Sequence, residues 1–255
     1  MRASCHCFSA FYALILQTMC GRYTQFAKKK ALMERFKVAI ESPEIAPRYN
    51  ITPGSGVPVV LEDRDRKGSR RLDYFQWGLV PAWAKSANIG FKCINAKWET
   101  VNTKPAFMDS MKYRRCLIPA TGWYEWKKFS DRKQPYYLYL EESPLFAFAG
   151  LWAEKLFPDG SELLTCSIIT RPAADSIAHV HHRMPFILHE DDYDDWLSTS
   201  IWEPKKSSYR ALEAASCHPV SFDVNKMGAE NPQLIERWEP SESLNAHIQT
   251  YFPGM

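Results

Sequence analysis

The chain reads as strand after strand, with short helices interspersed and no regular βαβ alternation. That order constrains the fold more than any other feature. It implies an α+β domain, with a mainly antiparallel β-sheet or partly closed barrel as its core and short helices at the periphery. Residues 57–61, 72–80, 136–141, 145–152 and 163–170 carry the β-branched and aromatic runs that make strands. Residues 115–119 and 122–128 flank a turn at Ala120-Thr121, residues 92–95 and 186–188 are short and extended, and residues 220–224 read as the last strand. Apolar residues at helical spacing predict a helix over 26–38, part of 99–111 around Phe107, 173–178 and 191–197.

A chain of 255 residues can bury a full core. It divides into an extension over 1–18, one domain over 19–238 and a peripheral tail over 239–255. Hydrophobic content of 45% and charged content of 24% are ordinary for a soluble globular protein. The apolar run 11–16 is too short to span a membrane. No A-x-A site follows it, and Met19 is bulky where a lipoprotein signal needs a small residue, so a start at Met19 is expected instead. The net charge of +3 does not announce nucleic acid. Basic clusters at 28–30, 64–71, 112–115 and 127–128 matter only if they converge in space.

There are seven cysteines and no C-x-x-C pair. Cys93, Cys116 and Cys166 lie in apolar surroundings and read as buried free thiols, which fits a reducing, cytoplasmic compartment. Cys5-His6-Cys7 is half a metal site without a second pair at zinc spacing, so no metal and no cofactor are expected.

Met19-Cys20-Gly21-Arg22 has unusual chemistry if Cys20 becomes the first residue. An N-terminal cysteine carries a free amine and a thiol on adjacent carbons, and together they capture an aldehyde as a five-membered thiazolidine. Further along, Asn95, Glu125 and His181 sit beside turns, where functional side chains are displayed. A Cys, an Asn, a Glu and a His are the components of a cysteine-centred site. Each has a plainer reading too. Glu125 alternates with Trp and Tyr and could face solvent; an apolar wall of Trp123 and Trp126 would instead raise its pKa. Asn95 could be a turn residue, His181 a structural group beside Arg183, and the run Trp77 to Trp83 core.

The ordered motifs Met19-Cys20-Gly21-Arg22-Tyr23, Arg48-Tyr49-Asn50-Ile51-Thr52-Pro53, Trp77-Gly78-Leu79-Val80-Pro81, Asn95-Ala96-Lys97-x-Glu99-Thr100, the run Arg115 to Trp126 and His181-x-Arg183-Met184-Pro185 together resemble the SOS response-associated peptidase (SRAP) family. The resemblance runs from Met19 to about Leu234. It implies a β-rich fold with a basic single-strand groove, and a sensor and shield of abasic sites in single-stranded DNA. The family's catalytic residues then fall on Cys20, Asn95, Glu125 and His181, with DNA contacts at Arg22, Asn50, Pro53, Trp83, Lys97 and Trp126. The family usually has Arg where this chain has Lys97, which keeps the charge but loses bidentate phosphate contact.

The chemistry implied is attack of the Cys20 amine on the ring-opened sugar aldehyde, then closure by the thiol. Glu125 and His181 move protons, Asn95 orients, and Arg22 supports thiolate character. A thiol peptidase built on Cys20, His181 and Glu125 or Asn95 is the alternative enzyme, and a non-covalent single-strand binding module the alternative without chemistry. The partner implied is abasic single-stranded DNA, met by a monomer in the cytoplasm, at the nucleoid if the source is bacterial.

Overall fold

The structure is a computed structural model, and it describes residues 20–40, 44–63, 65–66, 68–198, 202 and 215–239. The extension 1–18, Met19, the Cys5-His6-Cys7 triplet, Arg64 and Lys67 of one basic cluster, and the tail after Glu239 lie outside them.

The strands are β1 (Arg22–Gln25), β2 (Arg48–Ile51), β3 (Gly56–Glu62), β4 (Arg70–Trp77), β5 (Asn95–Lys97), β6 (Arg115–Ala120), β7 (Gly122–Lys128), β8 (Lys133–Leu140), β9 (Phe146–Leu156), β10 (Glu162–Pro172), β11 (Arg183–Pro185), β12 (Ile187–Leu188) and β13 (Ala215–Pro219). Among the described residues four short helices accompany them: α1 (Lys29–Arg35), α2 (Met108–Tyr113), α3 (Asp175–Ala178) and α4 (Tyr193–Leu197). One sheet runs β13-β8-β7-β1-β2 and is antiparallel throughout. The other runs β11-β10-β4-β3-β6-β9-β12, and β9 pairs back to β10, which closes β10, β4, β3, β6 and β9 into a barrel. Among the described strands, only the pairings of β10 with β4 and with β5 are parallel; the isolated Val38–Arg70 bridge is parallel as well. The expected barrel is therefore present, and it is closed.

Period-two alternation explains why these strands read as nearly continuous apolar runs. In β9, Phe146, Phe148 and Trp152 enter the cluster shared with the five-stranded sheet. Ala147, Ala149, Leu151 and Ala153 face the opposite way, into a cluster with Leu32 and Phe36 of the α1 region, Met111 of α2 and Trp196 of α4. From Phe146 to Ala153 both faces are buried and neither carries a polar residue; Glu154 and Lys155 follow where the strand emerges. Cys93, Cys116 and Cys166 are buried free thiols, as expected.

Several boundaries differ from the expectation. The helix over 26–38 shrinks to α1: no side chain caps it at Lys28, and Lys37 at φ 51° breaks the helical path before Val38 bridges to Arg70. Residues 220–224 are not a strand. The last strand is β13; Ser221 then accepts from the Asp223 amide and starts a single helical turn over Phe222–Asn225. Residues 87–92 form a helical turn and β5 begins only at Asn95. The helix in 99–111 forms late, at α2. Arg70, read as part of a basic cluster, is buried and donates to the Phe36 carbonyl and to Asp194. No described helix is long and apolar enough to cross a membrane.

Candidate active site

Cys20 stands just before β1, and β1 pairs with β7 so that Arg22 lies opposite Tyr124. That register brings Cys20 beside Glu125. On β7, Trp123 and Glu125 point toward the barrel while Tyr124 and Trp126 point to the far face. Asn95 opens β5, held against Ile168 of β10. His181 lies in the loop between α3 and β11. The five-stranded sheet thus supplies Cys20 and Glu125, and the barrel side supplies Asn95 and His181. The site is the seam between them.

Glu125 organises it. One oxygen, Oε1, accepts from the Cys20 backbone N–H at 3.0 Å and from its Sγ at 2.8 Å. The other, Oε2, is 3.8 Å from His181 Nδ1, beyond hydrogen-bond reach. Asn95 Nδ2 donates to the Cys20 carbonyl at 3.4 Å. Cys20 has φ 47°, a left-handed conformation that costs a non-glycine residue energy and tends to persist where function requires it. All four expected site residues are therefore together.

Their protonation follows from burial. Glu125 is 3% exposed, and desolvation pushes its carboxyl up to about 8 even though the two bonds from Cys20 pull it down. Near neutral pH it holds its proton for much of the time. Burial and the neighbouring carboxyl also push the Cys20 thiol well up, so the resting group is a thiol and not a thiolate. Burial pushes His181 down, which favours the neutral imidazole, and its Nδ1 takes the Arg183 N–H at 3.1 Å. The apolar wall behind Glu125 contains Trp123; Trp126 belongs to the other face of β7 and donates from Nε1 to Asn225 Oδ1.

The expected DNA contacts separate into two groups. Pro53, Trp83 and Lys97 lie on the surface, with Trp83 58% exposed. Pro53 and Gly54 occupy the middle of a tight turn, with the Ser55 N–H on the Thr52 carbonyl and Gly54 at φ 87°, which only glycine adopts freely. Arg22 and Asn50 are buried. Arg22 Nη1 donates to Asn50 Oδ1 at 3.0 Å and to the Val224 carbonyl, and its guanidinium lies 6.0 Å from the Trp126 ring. The Arg183 charge lowers the proton affinity of Cys20, but burial and Glu125 outweigh it.

Two features escaped the sequence. A groove of about 370 Å³ opens beside Glu125, lined by Lys127, Lys128, Lys133, His181 and His182 among others. The 127–128 cluster gains its meaning there. Arg183 pairs in bidentate fashion with Glu99, 84 residues away. Both residues stand in the quoted motifs, but nothing in those motifs says that they meet. No group of three or more His, Cys, Asp or Glu among the described residues could hold a metal ion.

A family model described as SOS response associated peptidase (SRAP) matches residues 19–227. The chain belongs to this family. Curated SRAP-type relatives include the abasic site processing protein YoqW of Bacillus subtilis (strain 168), 36% identical over 225 residues, covering 86% of this chain and 99% of that one. YedK of Escherichia coli (strain K12), also named an abasic site processing protein, is 29% identical over 228 residues with the same coverage. HMCES of Gallus gallus, likewise so named, is 31% identical over 220 residues, covering 74% of this chain and 66% of its own. Among solved structures, a protein from Bacteroides thetaiotaomicron matches with a TM-score of 0.75 and 26% identity, over 86% of this chain and all of that one. The SRAP fold and the motifs at the seam thus coincide.

Proposed function

We propose that this SRAP protein processes abasic sites in DNA by covalent capture, in single strands, through the amine and thiol of Cys20. The observation that supports this most directly is the convergence of the Cys20 nitrogen and sulfur on one oxygen of Glu125, at 3.0 and 2.8 Å. A single proton carrier then serves both nucleophiles. Reaction requires that Cys20 become the N-terminal residue, so residues 1–19 must be absent from the working form.

The ring-opened abasic sugar presents an aldehyde at C1′. The neutral Cys20 amine adds to it. Loss of one water, with Glu125 or His181 protonating the departing hydroxyl, leaves a Schiff base. The thiol then adds to the C=N carbon, its proton passing through Glu125 to the nitrogen, and the thiazolidine closes. Atoms balance as aldehyde plus aminothiol giving thiazolidine plus water. A Schiff base left open invites β-elimination and strand cleavage, so fast closure protects the strand. Protonation by the same carboxyl runs the sequence backward. Asn95 fixes Cys20 through its carbonyl. Lys97, Pro53 and Trp83 are surface groups suited in type to hold flanking phosphates and to stack or kink the bases.

The test is incubation of protein verified to begin at Cys20 with an abasic single strand, followed by a denaturing gel. A shifted band is expected, absent with a tetrahydrofuran analogue that has no aldehyde. No band with the abasic strand would defeat the proposal.

The same contacts favour a second reaction on the longer chain. Cys20 Sγ adds to the Met19 carbonyl carbon, the amide nitrogen leaves with the Glu125 proton, and water hydrolyses the resulting thioester. The donation of the Cys20 N–H to Glu125 and the strained φ of Cys20 support it. Intact mass decides: loss of residues 1–19 in the wild type but not in Cys20→Ala or Glu125→Gln is expected, and equal processing in all three would exclude it.

A further inference from the structure

Asn95 and His181 reach the seam on two separate segments, and one ion pair joins them. Arg183 Nη1 donates to Glu99 Oε1 at 2.5 Å and Nη2 to Oε2 at 3.0 Å. Arg183 begins β11 two residues after His181, and its backbone N–H holds His181 Nδ1 at 3.1 Å. Glu99 follows β5 four residues after Asn95. Thr170 of β10 lies between the two segments: it pairs with Lys97 on one side and Pro185 on the other. Its carbonyl accepts from Arg183 Nη2 at 2.8 Å, and its hydroxyl donates to the Ala96 carbonyl at 3.5 Å.

We propose that the Glu99–Arg183 pair is a positioning device, which clamps the Asn95 segment to the His181 segment across Thr170 and so sets both side chains around Cys20. This rests on the crosslinking reading above. Neither residue touches the reacting atoms.

An exposed ion pair would do little. Here Glu99 is 44% exposed but the Arg183 side chain is only 9% exposed, so removing the Glu99 charge leaves a buried guanidinium with, among the described residues, only the neutral oxygens of Thr170 to accept from it. The consequence reaches the chemistry because the Arg183 charge acts on both Cys20 and His181: it lowers the proton affinity of each, while the hydrogen bond from the Arg183 backbone raises that of His181. Glu99, lowered from the usual carboxylate value by its hydrogen bonds to Arg183, stays ionised near neutral pH and balances that charge.

The experiment compares wild type, Glu99→Gln, His181→Ala and the double variant, all beginning at Cys20. Glu99→Gln should slow crosslinking about tenfold, while affinity for a tetrahydrofuran strand changes less than about twofold. In the His181→Ala background the same substitution should cost less, because part of its effect passes through His181. An equal slowing in both backgrounds, or none in either, would overturn the proposal. A readout free of DNA separates this from failure of the crosslinking reading. The His181 imidazole titration, followed by NMR, should move to lower pH in Glu99→Gln, and an unmoved titration would overturn the clamp even if the wild type formed no adduct.

Discussion

Cys20 and Cys166 are both buried thiols, and burial pushes both to hold their protons well above the ordinary range. Cys166 faces the barrel interior among Trp77, Phe148 and Ile168. Cys116 is as enclosed: a Cβ added at Gly150 would meet its Sγ at 2.7 Å. Neither has a proton acceptor in reach that would make it a nucleophile. Cys20 stands instead at the seam, 2.8 Å from a carboxyl oxygen of Glu125, and Glu125 lines an open groove. Burial alone silences a thiol. What distinguishes the seam is a proton carrier buried with it and a way in for substrate.

The comparison breaks most sharply by deletion. Cys20→Ala should abolish the covalent adduct, while Cys166→Ala should leave its rate within about twofold and lower only stability, by about 1–2 kcal/mol for a lost buried sulfur. An adduct retained by Cys20→Ala in denaturing gels would erase the distinction.

Glu125→Gln removes the proton carrier and keeps the shape. Crosslinking should slow by about a hundredfold, the lower end for general acid–base catalysis. Single-turnover rates on an abasic strand measure it; an unchanged rate would make Glu125 a spectator.

Glu125 also predicts a stability effect in the longer chain. Its folded pKa lies near 8, above the unfolded value, so the folded state binds the extra proton. That stabilisation is complete below the unfolded pKa, about 4.3, and is lost as pH rises through about 8. Wild type and Glu125→Gln should melt alike near pH 4. Near pH 9 the variant should melt about 10 °C higher. Parallel melting curves across the range would mean that Glu125 ionises freely. Release of the amine changes this, because an ammonium beside Glu125 lowers the carboxyl and is itself raised, and the two then titrate as a pair.

The smallest expected effect is at the surface. Lys97→Arg restores a fork-shaped donor and should tighten binding to a tetrahydrofuran strand about twofold, with the rate of crosslinking unchanged. Fluorescence anisotropy over a salt series checks it, and weaker binding would place Lys97 away from the phosphate path.

Much of this was readable from the residues, and the reasons for the exceptions are physical. β9 and β10 were legible because each buries both faces, and their apolar runs leave no other use. Residues 220–224 misled because Val220 and Val224 are apolar for another reason: both pack with Tyr124 and Tyr137 behind the five-stranded sheet. The chemistry at Cys20, Asn95, Glu125 and His181 came from ordered motifs. Composition could not have revealed it, since Glu125 looks like any alternating surface residue until Trp123 and Cys20 close around it. The internal contacts of Arg22 and Asn50, both expected at the DNA from the resemblance, could not be read from the motifs. Register turns Arg22 to the far face of the sheet, where it braces Asn50 and the 222–225 turn. The Glu99–Arg183 pair depends on β5 and β11 flanking one strand, which no local pattern encodes.

The central claim is that one residue supplies both nucleophiles. Its most direct test is the intact mass of the adduct formed, without reductant, between protein beginning at Cys20 and an abasic single strand. The mass should equal protein plus DNA less one water, and it should survive denaturation unreduced, as a thiazolidine does. An adduct that appears only after borohydride trapping would show a Schiff base without thiol closure, and would contradict the claim.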